Sequence, residues 1–269
     1  MDNDFQNAIN KASKNIEAYT YPLLQVDDHG SPDIIASCLF LDVEGAFYLV
    51  TAAHALNGIQ ASLLTRGNGF LIDVVGQATV SRSSGKDHFD IAAIKVHKDT
   101  IREHHIKVVR ENMFISSVEV TNPHSRAVSG FLASMNKQNK ILDKKDKILT
   151  AKCFTYFGYA KFDADFSEFH KSPYTHVGIE FVAGTDNSGK YLSTPPWPPR
   201  GISGGGAWLV PDLSRPDLLF LEGIFIESHK REKRMLGFST HLSHVADFIK
   251  QTHNNERNID AAKNTVPVS

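Results

Sequence analysis

Three short stretches of the chain bring together residue types that chemistry could use. In the first, Leu49-Val50-Thr51-Ala52-Ala53-His54, an apolar run ends on small residues and then a histidine. The second, Asp90-Ile91-Ala92-Ala93-Ile94, places an acid at the head of an apolar run. The third, Gly201-Ile202-Ser203-Gly204-Gly205-Gly206, sets four glycines about one serine. Each has a plainer reading: one of 13 histidines at a strand end, a turn residue opening a strand, a Gly-rich loop. Together they compose a mechanism for acyl transfer. A serine hydroxyl is a poor nucleophile until an adjacent base takes its proton. Histidine supplies that base, and a buried aspartate fixes its tautomer and stabilises the imidazolium. Glycines cost backbone entropy unless unusual dihedrals or close approach are needed. A glycine-rich turn meets that need by presenting bare N–H groups to an oxyanion, where losing one donor costs about 2.7–4 kcal/mol.

Other candidates weaken on inspection. Asp87 is the near rival of Asp90, but no apolar strand follows it. Glu103-His104-His105 lacks any Cys/His ligand spacing and reads as a solvated turn, so no metal is expected. Lys137–Lys147 reads as a solvated hairpin tip, and Lys230-Arg231-Glu232-Lys233-Arg234 as a charged hairpin loop. No phosphate-cradling glycine motif is present. With 29 Lys+Arg against 30 Asp+Glu and a formal charge of -1, the basic excess of a nucleic-acid coat is missing.

The elements that must position these residues are mostly strands. The 269 residues are 41% hydrophobic and 22% charged, enough for a globular core, and the 18 Gly and 11 Pro suit many turns. Phe5, Ile9, Ala12, Ile16 and Tyr19 form an apolar stripe at helical spacing. Strand-like runs follow at Ser37–Val43 and Phe47–Ala52, a hairpin about Glu44-Gly45-Ala46. More lie near Ala61–Thr65, Ile72–Val80, Asp90–Val96, Ile106–Val109 and Ile115–Val120. Asn122-Pro123 marks a boundary. A second set runs through Val128–Ala133, Ile148–Phe154, His176–Phe181, Ala207–Val210, Leu218–Ile226 and Met235–Thr240. Leu242, Val245, Ala246 and Ile249 predict a closing helix, with a polar tail from about His253. Two cysteines, Cys38 and Cys153, cannot build a disulfide framework. No signal peptide and no long apolar run is visible, so a cytoplasmic setting without a membrane partner is expected.

On these residues the chain resembles the trypsin/chymotrypsin-like serine peptidases, in an intracellular, bacterial-type form without disulfides. The order His, Asp, Ser is theirs. Thr51-Ala52-Ala53-His54, Asp90-Ile91-Ala92 and Gly201-Ile202-Ser203-Gly204-Gly205 match the family's three motifs. Leu221-Glu222-Gly223-Ile224 and Leu236-Gly237-Phe238-Ser239-Thr240 resemble strands beside the specificity pocket, and the likeness covers roughly residues 34–251. The resemblance implies an all-β fold of two antiparallel six-stranded β-barrels of trypsin-like type, with an N-terminal and a C-terminal helix. It divides the chain into a helix (1–20), a first barrel carrying His54 and Asp90 (21–121), a second carrying Ser203 with the closing helix (122–252), and a flexible tail (253–269).

By the same resemblance His54 is the general base, Asp90 its orienting partner and Ser203 the nucleophile, with the amides of Gly201 and Ser203 as the oxyanion hole. Ile202 stands where members activated by cleavage carry an aspartate, so that switch is not expected. The pocket base falls on Trp197 within Thr194-Pro195-Pro196-Trp197-Pro198-Pro199-Arg200, and Phe225, Ile226 and Phe238 suggest apolar walls. Glu227 is the acid that a neighbouring loop could turn inward. The proline run also suits a polyproline ligand for a partner protein. The expected function is a serine endopeptidase acting on a protein or peptide through an acyl-enzyme, without cofactor. Its alternatives are a catalytically silent binding or scaffold module on the same fold, and an esterase.

Overall fold

The apolar stripe at the N-terminus folds as its spacing predicts. Helix α1 (Asn3–Glu17) has Asp4 in its first turn and Lys14 in its last, signs that suit the helix dipole. Ile9, Ala12 and Ile16 are buried, while Phe5 is left half exposed. The structure, a computed structural model, describes residues 3–26, 32–57, 63–67, 70–81, 89–115, 125–136, 142–143, 148–161, 164–186, 191–192, 199–231 and 234–264.

Seven strands follow: β1 (Thr20–Val26), β2 (Pro32–Val43), β3 (Ala46–Ala52), β4 (Leu63–Gly67), β5 (Phe70–Asp73), β6 (Ala78–Val80) and β7 (Ile91–Val96). Glu44 and Gly45, at φ +53° and +78°, make the tight turn between β2 and β3, since two positive φ values match the twist of paired strands. After the short helix α2 (Lys98–Glu103) come β8 (Ser125–Gly130), β9 (Leu142–Asp143), β10 (Ile148–Leu149) and β11 (Phe154–Lys161). Helix α3 (Ala164–Glu168) precedes β12 (His176–Asp186), β13 (Tyr191–Leu192), β14 (Gly206–Val210), β15 (Phe220–Arg231), β16 (Arg234–His241) and the closing helix α4 (Leu242–Asn264).

The strands form two antiparallel sheets, in the orders β6-β7-β3-β2-β1-β4-β5-β10-β9 and β11-β8-β14-β15-β16-β12-β13. In the second, β11 also pairs with β12, closing a six-stranded barrel with β13 appended. The first sheet stays open among the described residues: it is a half-barrel where six closed strands were expected. Residues alternate as a pleat requires. On β2, Cys38 and Phe40 point into the first sheet with Leu49 and Ile94, whereas Leu39 and Leu41 face the second. Leu39, Leu41, Val50 and Ala52 meet Trp208, Leu221, Ile224 and Ile226 there, and α1 and α4 add Ile16 and Val245 to that shared core. The second barrel is filled by Phe154, Tyr156, Ile179, Phe181 and Phe225.

Several elements differ from the sequence reading. The run at Ile72–Val80 is two strands, because β5 pairs with β4 while β6 pairs with β7 at the other end of the sheet. Ile106–Val109 makes only a single bridge, Val109 to Leu41, and Ile115 lies in a loop. Strand β11 runs from Phe154 to Lys161, beyond the Ile148–Phe154 run, and β9 and β10 pair with each other on the edge of the first sheet. The tips of both lysine-rich hairpins and the domain boundary near 122 lie outside the described residues. Helix α4 continues to Asn264, past His253, where a frayed tail was expected. Cys38 and Cys153 are both free and buried, and burial pushes the Cys38 thiol up to about 12. Among the described residues no helix is long and apolar enough to cross a membrane.

Candidate active site

His54 owes its position to the end of β3. The strand stops at Ala52, and His54 sits on the 3₁₀ turn Ala53–Leu56. Strand β7 lies antiparallel beside β3 with Ala52 opposite Ile91, so the residue before Ile91 meets the residues after Ala52. That register brings Asp90 to His54 across 36 positions of sequence. The Asp90 carbonyl accepts from the Ala53 N–H at 2.8 Å, and its Oδ1 accepts from the His54 N–H at 2.8 Å. Asp90 takes φ +50°, a left-handed conformation that aspartate tolerates better than most residues. The Thr240 hydroxyl donates to the Phe89 carbonyl, and the Phe89 ring stacks on His244 at 4.9 Å, so the second barrel and α4 steady the aspartate turn.

The side chains complete the pair. His54 Nδ1 lies 2.5 Å from Asp90 Oδ2, which turns the Nε2 lone pair away from the carboxylate when Nδ1 carries the proton. The hydrogen bond to Asp90 raises the His54 pKa above its ordinary value. Burial opposes the rise, and the charges of Asp90 and Glu227 add to it.

Ser203 sits on a loop whose backbone is almost fully committed. Ile202 N–H donates to the Pro199 carbonyl (3.3 Å), Gly204 N–H to Phe225 (2.7 Å) and Gly205 N–H to Ile202 (3.0 Å). The amides of Gly201 and Ser203 donate to no acceptor among the described residues. Two bare donors flanking one hydroxyl are what an oxyanion site requires. Gly201 (φ +92°) and Gly204 (φ +85°) cannot be replaced without strain. A Cβ on them would lie 2.4 Å from the Phe131 carbonyl oxygen and 2.1 Å from that of Ser37. The first sheet grips the loop through Ser37, whose N–H donates to the Ser203 carbonyl (2.8 Å) and whose hydroxyl donates to that of Gly201 (2.7 Å). Thr51, within the histidine motif, anchors Ser37 in turn by donating to its carbonyl at 2.7 Å. Sequence spacing carried no signal for Ser37.

His54, Asp90 and Ser203 line one cavity of about 640 Å³. The Ser203 hydroxyl is turned toward the Ile226 carbonyl at 3.4 Å, and a rotation about χ1 would redirect it. Of the expected pocket residues, Phe225 and Ile226 line the cavity. Phe238 does not: it is buried against Phe166 and Phe169, behind the wall that Glu227 and Lys171 present to the opening. Trp197 and Asp87 lie outside the described residues. Three further charged residues border the cavity, Glu227, Lys171 and Arg200, the first two paired at 2.8 Å. Nothing local in the sequence signals Lys171, which reaches the wall from the loop after α3. Among the described residues no three His, Cys, Asp or Glu side chains gather as a metal site.

No protein-family model and no curated protein sequence matches the chain. Solved structures similar to it include the serine protease domain of the Sesbania mosaic virus polyprotein. The two share 14% identity over 84% of this chain and 90% of that one, with a TM-score of 0.45. Another comes from work on aromatic interactions in the coupled folding and binding of the disordered Sesbania mosaic virus VPg protein. There the identity is 12% over 85% of this chain and 89% of that one, with a TM-score of 0.48.

Proposed function

We propose that the protein is a serine endopeptidase. The observation that carries the reading is the meeting on one cavity of a carboxylate-held histidine and a serine, with two uncommitted backbone donors in the serine's own loop. Ser203 Oγ attacks the substrate carbonyl while His54 Nε2 takes its proton, and Asp90 stabilises the imidazolium. The Gly201 and Ser203 amides receive the oxyanion. His54 then protonates the leaving amine, which departs as the C–N bond breaks and leaves an acyl-serine. Water, deprotonated by His54, releases the acid and restores the serine. The residues supply every proton transfer in this sequence without a cofactor.

The loop needs no cleavage-made N-terminus to hold its shape. Ile202 stands before the serine, buried in the core of the second barrel, and the Ser37 hydroxyl anchors the adjoining peptide. Phe225 and Ile226 favour a medium or large apolar residue at the cleavage site, and apolar burial contributes roughly 25 cal/mol per Å². A fluorophosphonate probe tests the reading. Wild type should be labelled at Ser203, Ser203→Ala should fold and remain unlabelled, and peptides should be turned over. Absence of labelling in the wild type would favour a silent binding module, for which the turned-away Ser203 hydroxyl is the supporting observation. Turnover of esters but not peptides would make the protein an esterase.

A further inference from the structure

The wall beside Ser203 holds a charge pair for which the proposed hydrolysis has no use. Because Ser203 Oγ lies 3.4 Å from the Ile226 carbonyl, the next residue, Glu227, borders the place where a reacting carbonyl would sit. Its carboxylate is not bare. Lys171 Nζ stands 2.8 Å from Glu227 Oε1, with the lysine side chain 6% exposed and the glutamate 37% exposed. His229 Nε2 approaches the same oxygen at 3.6 Å, its ring stacked on Phe169. The fold holds the lysine in place: its N–H donates to the Phe166 carbonyl at 2.8 Å, and Phe166 and Phe169 pack on Phe238.

We propose that Lys171 determines specificity: as the resident counterion of Glu227, it closes the cavity to lysine and arginine side chains flanking the scissile bond. The inference rests on the endopeptidase reading above. A substrate cation that engaged Glu227 would have to displace Lys171 or share the carboxylate with it. Displacement strands a nearly buried ammonium, and breaking a buried pair in this way is strongly unfavourable. Sharing sets two like charges side by side in a partly desolvated wall. Asp90, the other carboxylate lining the cavity among the described residues, is already bound to His54. Arg200 adds a further positive charge at the same wall, with no ion-pair partner among the described residues. Basic residues are thus refused although an acid is present, because the acid is neutralised from within.

Lys171→Met keeps the length of the side chain and removes its charge, while Glu227 remains partly solvated. Wild type, K171M and the K171M/E227Q double variant are each titrated with a fluorophosphonate. Each is then assayed for kcat/KM on matched peptides carrying lysine or norleucine at the positions flanking the cleaved bond. Wild type should favour norleucine. K171M should raise the lysine-to-norleucine ratio at least tenfold, the double variant should abolish that gain, and salt should weaken it. A K171M protein that labels but shows no gain overturns the proposal, as does a gain that survives in the double variant or a wild type that already prefers lysine. Lys171→Gln serves in the same way if the methionine variant does not fold. A wild type that neither labels nor cleaves any peptide overturns the endopeptidase reading itself, and the inference with it.

Discussion

Ser37 has no part in the proposed proton transfers, and its replacement by alanine tests how the two sheets hold the serine loop. Its hydroxyl is fully buried, donates to the Gly201 carbonyl at 2.7 Å and accepts from the Phe131 N–H at 2.8 Å. Alanine leaves both partners buried without a bond, and each such group costs about 1–3 kcal/mol. The expected loss of stability is therefore about 2–6 kcal/mol, while the main-chain bond from Ser37 to Ser203 persists. The freed Gly201 carbonyl belongs to the peptide between the two amides assigned to the oxyanion. Complete loss of one donor would cost about 2.7–4 kcal/mol of barrier. A loosened donor should cost about 1 kcal/mol, roughly fivefold in kcat, with KM little changed. Urea unfolding measures the first quantity. Peptide turnover at a pH well above the raised His54 pKa measures the second. An unchanged unfolding midpoint would refute the hydrogen-bond reasoning. A destabilised protein with kcat intact would refute the link from this hydroxyl to the oxyanion donors.

Three further outcomes are expected. Asp90→Asn should lower kcat by up to about 10⁴-fold by holding His54 in the wrong tautomer, and Asp87→Asn should change it little; steady-state kinetics reversing that order would make Asp87 the partner. Activity needs neutral His54, and its pKa is raised, so kcat/KM should fall with decreasing pH through a midpoint above 6.5. Glu227→Gln should move that midpoint down, because the carboxylate favours the imidazolium; a pH–rate profile with an unmoved midpoint would remove Glu227 from the account. Deleting residues 1–19 should destabilise the protein by uncovering the surface under Ile9, Ala12 and Ile16, at about 1.5–3 kcal/mol per buried isoleucine, whereas an N-terminal fusion should leave turnover intact. A rise in peptidase activity after the deletion would instead show that α1 restrains the site.

The candidate site was legible where it depends on short windows of chain. The stripe of α1, the turn at Glu44-Gly45 and the motif residues around His54, Asp90 and Ser203 each follow from local periodicity or backbone demands. Composition and turn spacing indicate an all-β chain for the same reason. Residue types alone also point to glycine at 201 and 204, and the structure explains why: both backbones run at positive φ against carbonyls that leave no room for a Cβ.

Tertiary structure decided everything that joins distant windows. Asp90 reaches His54 because β7 lies beside β3 in one register, and shifting that register by one residue would send every side chain to the other face. Ser37 grips the serine loop from another sheet, and Lys171 neutralises Glu227 from a loop that no local pattern connects to it. Phe238, apolar and expected in the pocket wall, does not line the cavity because Phe166 and Phe169 cover it. The half-open first sheet is likewise a matter of which edges pair. A sequence specifies residue types and local conformations directly, since those depend on a few neighbouring dihedrals. Pairing partners, facing directions and buried counterions depend on where the rest of the chain packs.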